Sequence, residues 1–115
     1  MRILLVITSL GYGGAERVVT DLAKNLHQRG HLIQVISISN HIPLGTELEK
    51  FGINVRTLGF TGTIYSLKQI VRVVPQLGIM IREFEPSVIH SHIYLADIFA
   101  RLAAPANIPP LVSIV

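Results

Sequence analysis

The segment GYGGAERVV, residues 11–19, places Gly11, Gly13 and Gly14 within four positions and follows them at once with Glu16 and Arg17. Glycine has no Cβ, so such a loop lets backbone N–H groups come close to a bound group. Where a helix starts at the same point, its unpaired amides and positive dipole end favour an anion such as phosphate. A tight strand-to-helix turn is the plainer reading, yet one glycine would serve it. Three in four positions favour ligand contact.

Glu16 has two readings. An acid in a first helical turn gains about 0.3–1 kcal/mol from the dipole, and it could equally accept a hydrogen bond from a sugar hydroxyl. Arg17 could meet an anionic group, although the solvated face of a helix is its ordinary place. Farther along, His90 and His92 stand two apart, so on a strand they share one face. Two imidazoles without a third ligand or an adjacent carboxylate make a poor metal site, and no metal is expected. Any single histidine is usually structural. The carboxyl end of a strand is nonetheless where ligands bind in α/β sheets, and His92, farther out, is the better candidate. Asp97 and Arg101 are spaced for a helix-surface pair. His27, His31 and His41 read as surface or turn residues, and no Ser–His–Asp arrangement emerges from the spacing.

These residues need a scaffold, and the bulk composition allows one. The chain has 115 residues, enough for one domain and too few for two. A chain of this size buries roughly 65% of its unfolded surface. Half of the residues are apolar and 15% are charged, which suits a compact α/β domain and excludes disorder. With no cysteine, disulfides and thiolate metal sites are excluded, and the chain fits a reducing compartment. The net charge of +3 is spread without a basic run, so nucleic acid is not an expected partner. A mild attraction to an anionic membrane surface stays open. The opening MRILLVITSL has too short an apolar core and no small-residue cleavage site for a signal peptide, and nothing approaches a membrane span.

Residues 3–8 read as a strand buried on both faces, because the apolar run is continuous. Ala15, Val18, Val19, Leu22, Ala23 and Leu26 repeat at helical spacing, with Glu16 in the first turn, Arg29 in the last and Gly30 as the stop. A second strand spans 32–39, a turn 40–45, a short helix 46–51 and a third strand 53–58. Residues 59–63 form a loop with two glycines. The pattern over 66–84 is helical, but Pro75 predicts a break, with one helix to about Val73 and another starting with Pro75 in its first turn. A fourth strand covers 87–91, a helix 94–104 and the start of a fifth strand 111–115.

Alternating strands and helices imply a three-layer, Rossmann-like α/β domain with a parallel sheet ordered 3-2-1-4-5. Strands 1 and 4 are then neighbours whose helices leave to opposite faces, so the glycine loop and the two histidines would share one crevice. A dinucleotide fingerprint is weak here, since Glu16 stands where its third glycine belongs and Ser39, Asn40 and His41 replace the acid after strand 2. A Walker-type phosphate loop fails too, lacking Gly-Lys-Ser/Thr.

The stretches GGAERVVTDLAKNLHQRGHLIQVISI, FGINVRTL, EPSVIHSHIYLADIFARLAA and IPPLVSIV resemble, in order and over nearly the whole chain, the N-terminal domain of family 4 retaining glycosyltransferases of the GT-B fold. PSVIHSH looks like that family's Pro-Asp-Val-Ile-His-x-His, with Ser87 in place of the acid. The resemblance implies one half of a two-domain enzyme that moves a sugar from a UDP- or GDP-sugar to a sugar or lipid-linked acceptor, with retained anomeric configuration and no cofactor. It implies that Gly13 and Gly14 lie nearest the donor phosphates with Glu16 nearby, and that paired glutamates on an absent C-terminal domain hold the nucleotide sugar. It also implies synthesis of bacterial surface polysaccharide or lipopolysaccharide, in the cytoplasm or at the inner face of the cytoplasmic membrane.

Family members place a histidine just past the strand that IPPLVSIV resembles, where this sequence stops at Val115. Residues 1–115 are therefore expected to be a partial domain that is inactive alone and that self-associates through exposed apolar surface. A nicotinamide-binding oxidoreductase domain and a non-catalytic α/β binding module are the alternatives.

Overall fold

The computed structural model describes residues 1–7, 14–40, 42–60, 67–92 and 110–113. Within them the chain runs β1 (Arg2–Ile7), α1 (Gly14–Gln28), β2 (Leu32–Ser39), α2 (Gly45–Lys50), β3 (Asn54–Phe60), α3 (Leu67–Phe84), β4 (Val88–His92) and β5 (Pro110–Ser113). The five strands are parallel and ordered β3-β2-β1-β4-β5, as the alternation of elements implies. The helix expected over 94–104, with Asp97 and Arg101, lies outside the described residues.

The central strand explains the layering. Leu4, Leu5, Val6 and Ile7 are wholly buried, so β1 is covered on both faces. Ile3, Leu5 and Ile7 pack with Val19 and Ala23 of α1 and Leu48 of α2. Leu4 and Val6 pack on the other side with Val73, Leu77 and Ile81 of α3. Alternation along one strand thus feeds two cores, and burying each such side chain contributes roughly 1.5–3 kcal/mol. Val18 departs from the expected stripe of α1. It is half exposed because the buried line of that helix is centred on Val19 and Ala23.

Two helix ends are set by glycine. Gly30 has φ +91°, its N–H donates to the His27 carbonyl, and the His31 N–H donates back to Leu26. Gly52 repeats the arrangement after α2 with φ +91°, and Ile53 packs where the closing apolar residue of this motif belongs. Arg29 falls one residue past the end of α1, leaving His27 as the base of its last turn.

The break expected at Pro75 does not occur. α3 is one helix of 18 residues with Pro75 inside it. An interior proline costs about 3 kcal/mol, whereas burying Val73, Leu77 and Ile81 along one unbroken face returns roughly 5–9 kcal/mol. Pro75 and Val71, whose carbonyl loses its partner, both lie on the exposed side of the helix, away from the core. At the far end, Arg2 donates from Nε to the Phe84 carbonyl at 2.6 Å and lays its guanidinium 4.8 Å from the Phe84 ring centre. A cation therefore caps the negative end of α3.

The third strand also differs from expectation. It continues through Gly59 to Phe60, because the register with β2 slips by one residue, Ser37 facing Thr57 and Ser39 facing Phe60. Gly59 absorbs the irregularity at φ +71°.

Candidate functional site

The strand carboxyl ends form one rim. In register across it stand Thr57 of β3, Ser37 of β2, Ile7 of β1, His92 of β4 and Ser113 of β5. β1 leads directly from Ile7 into residues 8–13, and α1 starts at Gly14. The N-terminal end of a 15-residue helix therefore begins one short connection away from the strand neighbouring His92. The structure places the start of the helix and the end of β4 on the same rim, as the strand order requires.

Gly11 and Gly13 lie outside the described residues. Gly14 is exposed, its φ is not in the left-handed region, and a Cβ built there would meet nothing within 4 Å. Neither backbone conformation nor packing among the described residues demands glycine at this position. Glu16 follows in the first turn, half exposed, and its carbonyl accepts the Thr20 hydroxyl at 2.8 Å.

Arg17 is committed elsewhere. Its guanidinium donates to Glu47 of α2 at 2.6 Å and to Asp21 at 2.8 Å, while Lys24 reaches the same Glu47 carboxylate at 2.6 Å. Hydrogen bonds from Arg17 and Lys24 hold the Glu47 carboxyl at about 2, well below its ordinary 4.5, and the same pairing raises the Arg17 pKa. An incoming anion would compete with two carboxylates for this side chain.

His90 sits one register layer below His92, facing Leu5 of β1 and Leu111 of β5. It is half-buried, and desolvation pushes its imidazole below the ordinary 6.5, so it is neutral at pH 7. His92 is fixed as the last residue of β4 opposite Ile7. Among the described residues no group of three or more His, Cys, Asp or Glu could hold a metal ion.

The sequence reading missed a polar seam at the β2–β3 part of the rim. The wholly buried Ser37 donates from its hydroxyl to the Ser39 carbonyl at 2.7 Å, Thr57 donates to the same carbonyl at 2.8 Å, and the Gly59 N–H donates to Thr57 Oγ1 at 3.0 Å. These bonds satisfy polar groups that burial would otherwise penalise and pin the bulge that ends β3. The signal was present in ISIS at 36–39, where serines enter an otherwise apolar buried strand.

A family model for glycosyltransferase family 4 matches residues 12–115, from the glycine segment through β5. The chain belongs to glycosyltransferase family 4.

Its fold is that of an N-terminal GT-B domain. Superposed on a glycosyltransferase from Rickettsia africae, 96% of the chain aligns at a TM-score of 0.73 and 20% identity, covering 28% of that structure. With MurG of Acinetobacter baumannii the TM-score is 0.75 at 15% identity, over 98% of this chain and 35% of the other. The UDP-GlcNAc 2-epimerase of Neisseria meningitidis, solved with UDP-GlcNAc bound, aligns at 0.69 and 16% identity over 97% and 31%. At such identities the likeness is one of fold, and the family model carries the assignment. The chain spans about a third of the length of these structures. No curated protein sequence matches it significantly.

Proposed function

We propose that this family 4 glycosyltransferase chain supplies the acceptor side of a retaining sugar transfer from a UDP- or GDP-sugar, in the synthesis of a bacterial surface polysaccharide or lipopolysaccharide. The observation that carries the reading is the register of Ile7 with His92, which puts the entry to the glycine segment beside the end of β4 on one rim. In this reading residues 11–14 offer backbone amides and the positive end of α1 to the donor diphosphate, which needs no side chain and is blocked by one. Gly14 fits, since nothing else in its surroundings calls for glycine.

Glu16 accepts a hydrogen bond from a sugar hydroxyl, and His92 flanks the reacting sugar from β4. His90 lies deeper, and its neutral imidazole supports the strand end. The donor nucleotide is held by a second domain, so residues 1–115 alone do not turn over. UDP-GlcNAc on the Neisseria fold neighbour supports the donor class. Family membership favours sugar transfer over the nicotinamide and non-catalytic alternatives.

The test is to express the protein in its longest encoded form and offer it radiolabelled UDP- and GDP-sugars with sugar and lipid-linked acceptors. Transfer of label to an acceptor with retained configuration is the expected result. Turnover linked only to NAD(P), with no sugar transferred across the panel, would overturn the proposal.

A further inference from the structure

β2 and β3 are joined differently at their carboxyl ends than along the rest of their length. Gln34 to Ser37 pair residue for residue with Asn54 to Thr57, and then β3 takes up one extra residue, so that Ser39 meets Phe60. At that slip side chains tie the strands together. The Ser39 carbonyl accepts the hydroxyls of Ser37 at 2.7 Å and of Thr57 at 2.8 Å, and the Thr57 oxygen accepts the Gly59 N–H at 3.0 Å. The Thr57 hydroxyl is thus a relay, acceptor toward β3 and donor toward β2. Gly59 takes φ +71° here although a Cβ at this position would meet nothing within 4 Å, so the bulge asks for its backbone freedom and not for space. Bulges are rare in parallel pairs, and they gather beside functional sites, where they re-aim the chain.

We propose that Thr57 is a positioning residue for a neutral sugar acceptor: by clamping the Ser39 carbonyl it fixes where the chain leaves β2, and so places Asn40 against the acceptor's hydroxyls. The inference rests on the acceptor-side reading given above. Val35 and Val55 pack in the core beneath α1 and α2, and Ser37 and Thr57, two residues farther along each strand, share their face. Ser37 is also level with Ile7, from which the chain enters residues 8–13. The relay therefore lies on the side of the sheet toward which α1 leaves, and across β1 from His92. A donor whose diphosphate sits at the start of α1 leaves this stretch of rim to the acceptor. The polar residues here, Ser37, Ser39, Thr57 and exposed Asn40, carry no charge. Hydroxyl and amide groups, each both donor and acceptor, match the hydroxyls of a sugar ring, whereas a phosphate would find no cation among them. Thr57 acts through the backbone, and Asn40 makes the contact.

The test compares Thr57→Val and Thr57→Ser with the parent in the longest encoded form, over neutral sugar and lipid-phosphate acceptors. Valine keeps the shape and strand preference of threonine but neither donates nor accepts, while serine keeps the relay. In Thr57→Val the KM for the sugar acceptor should rise about tenfold, the loss of one well-placed hydrogen bond to the acceptor, with donor KM and kcat within about twofold of the parent. Thr57→Ser should stay close to the parent. A residue with only a structural role would lower the amount of folded enzyme, and so the rate at every acceptor concentration, while leaving acceptor KM in place. A stability cycle reads the relay without activity: Gly59→Ala should lower the melting temperature of the parent, and lower that of Thr57→Val by no more than about half as much, because the bulge is then released. Four outcomes would overturn the inference while sugar transfer by the parent stands: an unchanged acceptor KM in Thr57→Val, a donor KM that rises with it, serine behaving as valine does, or additive effects in the cycle. Transfer to lipid-phosphate acceptors alone would overturn the acceptor class. A parent that transfers no sugar to any acceptor would overturn the reading beneath the inference, and the inference with it.

Discussion

Ile7 and His92 occupy matching positions at the carboxyl ends of two adjacent parallel strands. The pairing is a consequence of strand order: β1 sits between β2 and β4, α1 leaves it toward one face, and α3 lies on the other. Whatever binds at this rim meets the end of β1, from which the chain enters residues 8–13, together with the end of β4.

Gly14 separates stability from function. Glycine at a helical position is less favourable than alanine by about 0.5–1 kcal/mol, less at the first turn, and a methyl here would touch nothing in the chain. Gly14→Ala is therefore expected to raise the melting temperature slightly and, under the proposed contact of residues 11–14 with a donor diphosphate, to reduce nucleotide-sugar affinity at least several-fold. Unchanged donor KM in the variant would remove Gly14 from the phosphate site.

His90 should impose a pH limit on stability. Burial lowers its folded pKa below 6.5, so the unfolded chain takes up a proton first as pH falls. The contribution is complete above 6.5 and declines as pH drops through 6.5 and on through the lower folded value. Thermal melts between pH 7.5 and 5, a window set by that ordinary value, should show a decline that is shallower in His90→Gln. Parallel slopes in the two proteins would refute the assignment.

Glu47 acts in a lower window and with the opposite protonation preference. Its folded pKa of about 2 lies beneath the ordinary 4.5, so its support for the α1–α2 contact is complete above 4.5 and lost as pH falls from 4.5 to about 2. Glu47→Gln should cost little in high salt, because the pairs are exposed. Its melting temperature should depend less on pH below 4.5 than that of the parent. Equal acid sensitivity would show that other carboxylates dominate.

Pro75 tests the balance that keeps α3 whole. Its ring sits on the exposed side, so Pro75→Ala restores a backbone hydrogen bond to Val71 without disturbing the core. A gain of about 1–3 kcal/mol in chemical denaturation is expected, at or below the interior-proline penalty because Val71 and Pro75 lie on the exposed side of the helix. A loss of stability would mean that the proline shapes a bend on which the packing of Val73, Leu77 and Ile81 depends.

The sequence alone determined the alternation of strands and helices from β1 to β3, the parallel sheet and its strand order. Those follow from local signals: the unbroken apolar run at 3–7, the 3.6-residue repeat after Gly14, and glycine at 30, where only a left-handed residue closes the helix so cheaply. Tertiary structure decided what local signals contradict or cannot reach. Pro75 announces a helix end, yet a helix survives there because three buried side chains on its other face outweigh one missing hydrogen bond. Arg17 looked available to an anion until α2 brought Glu47, 30 residues away in sequence, to within 2.6 Å. Ser37, Ser39 and Thr57 became one seam only when β2 and β3 paired. Propensity is written in neighbours along the chain, whereas partners for charge and burial come from segments that meet only after folding.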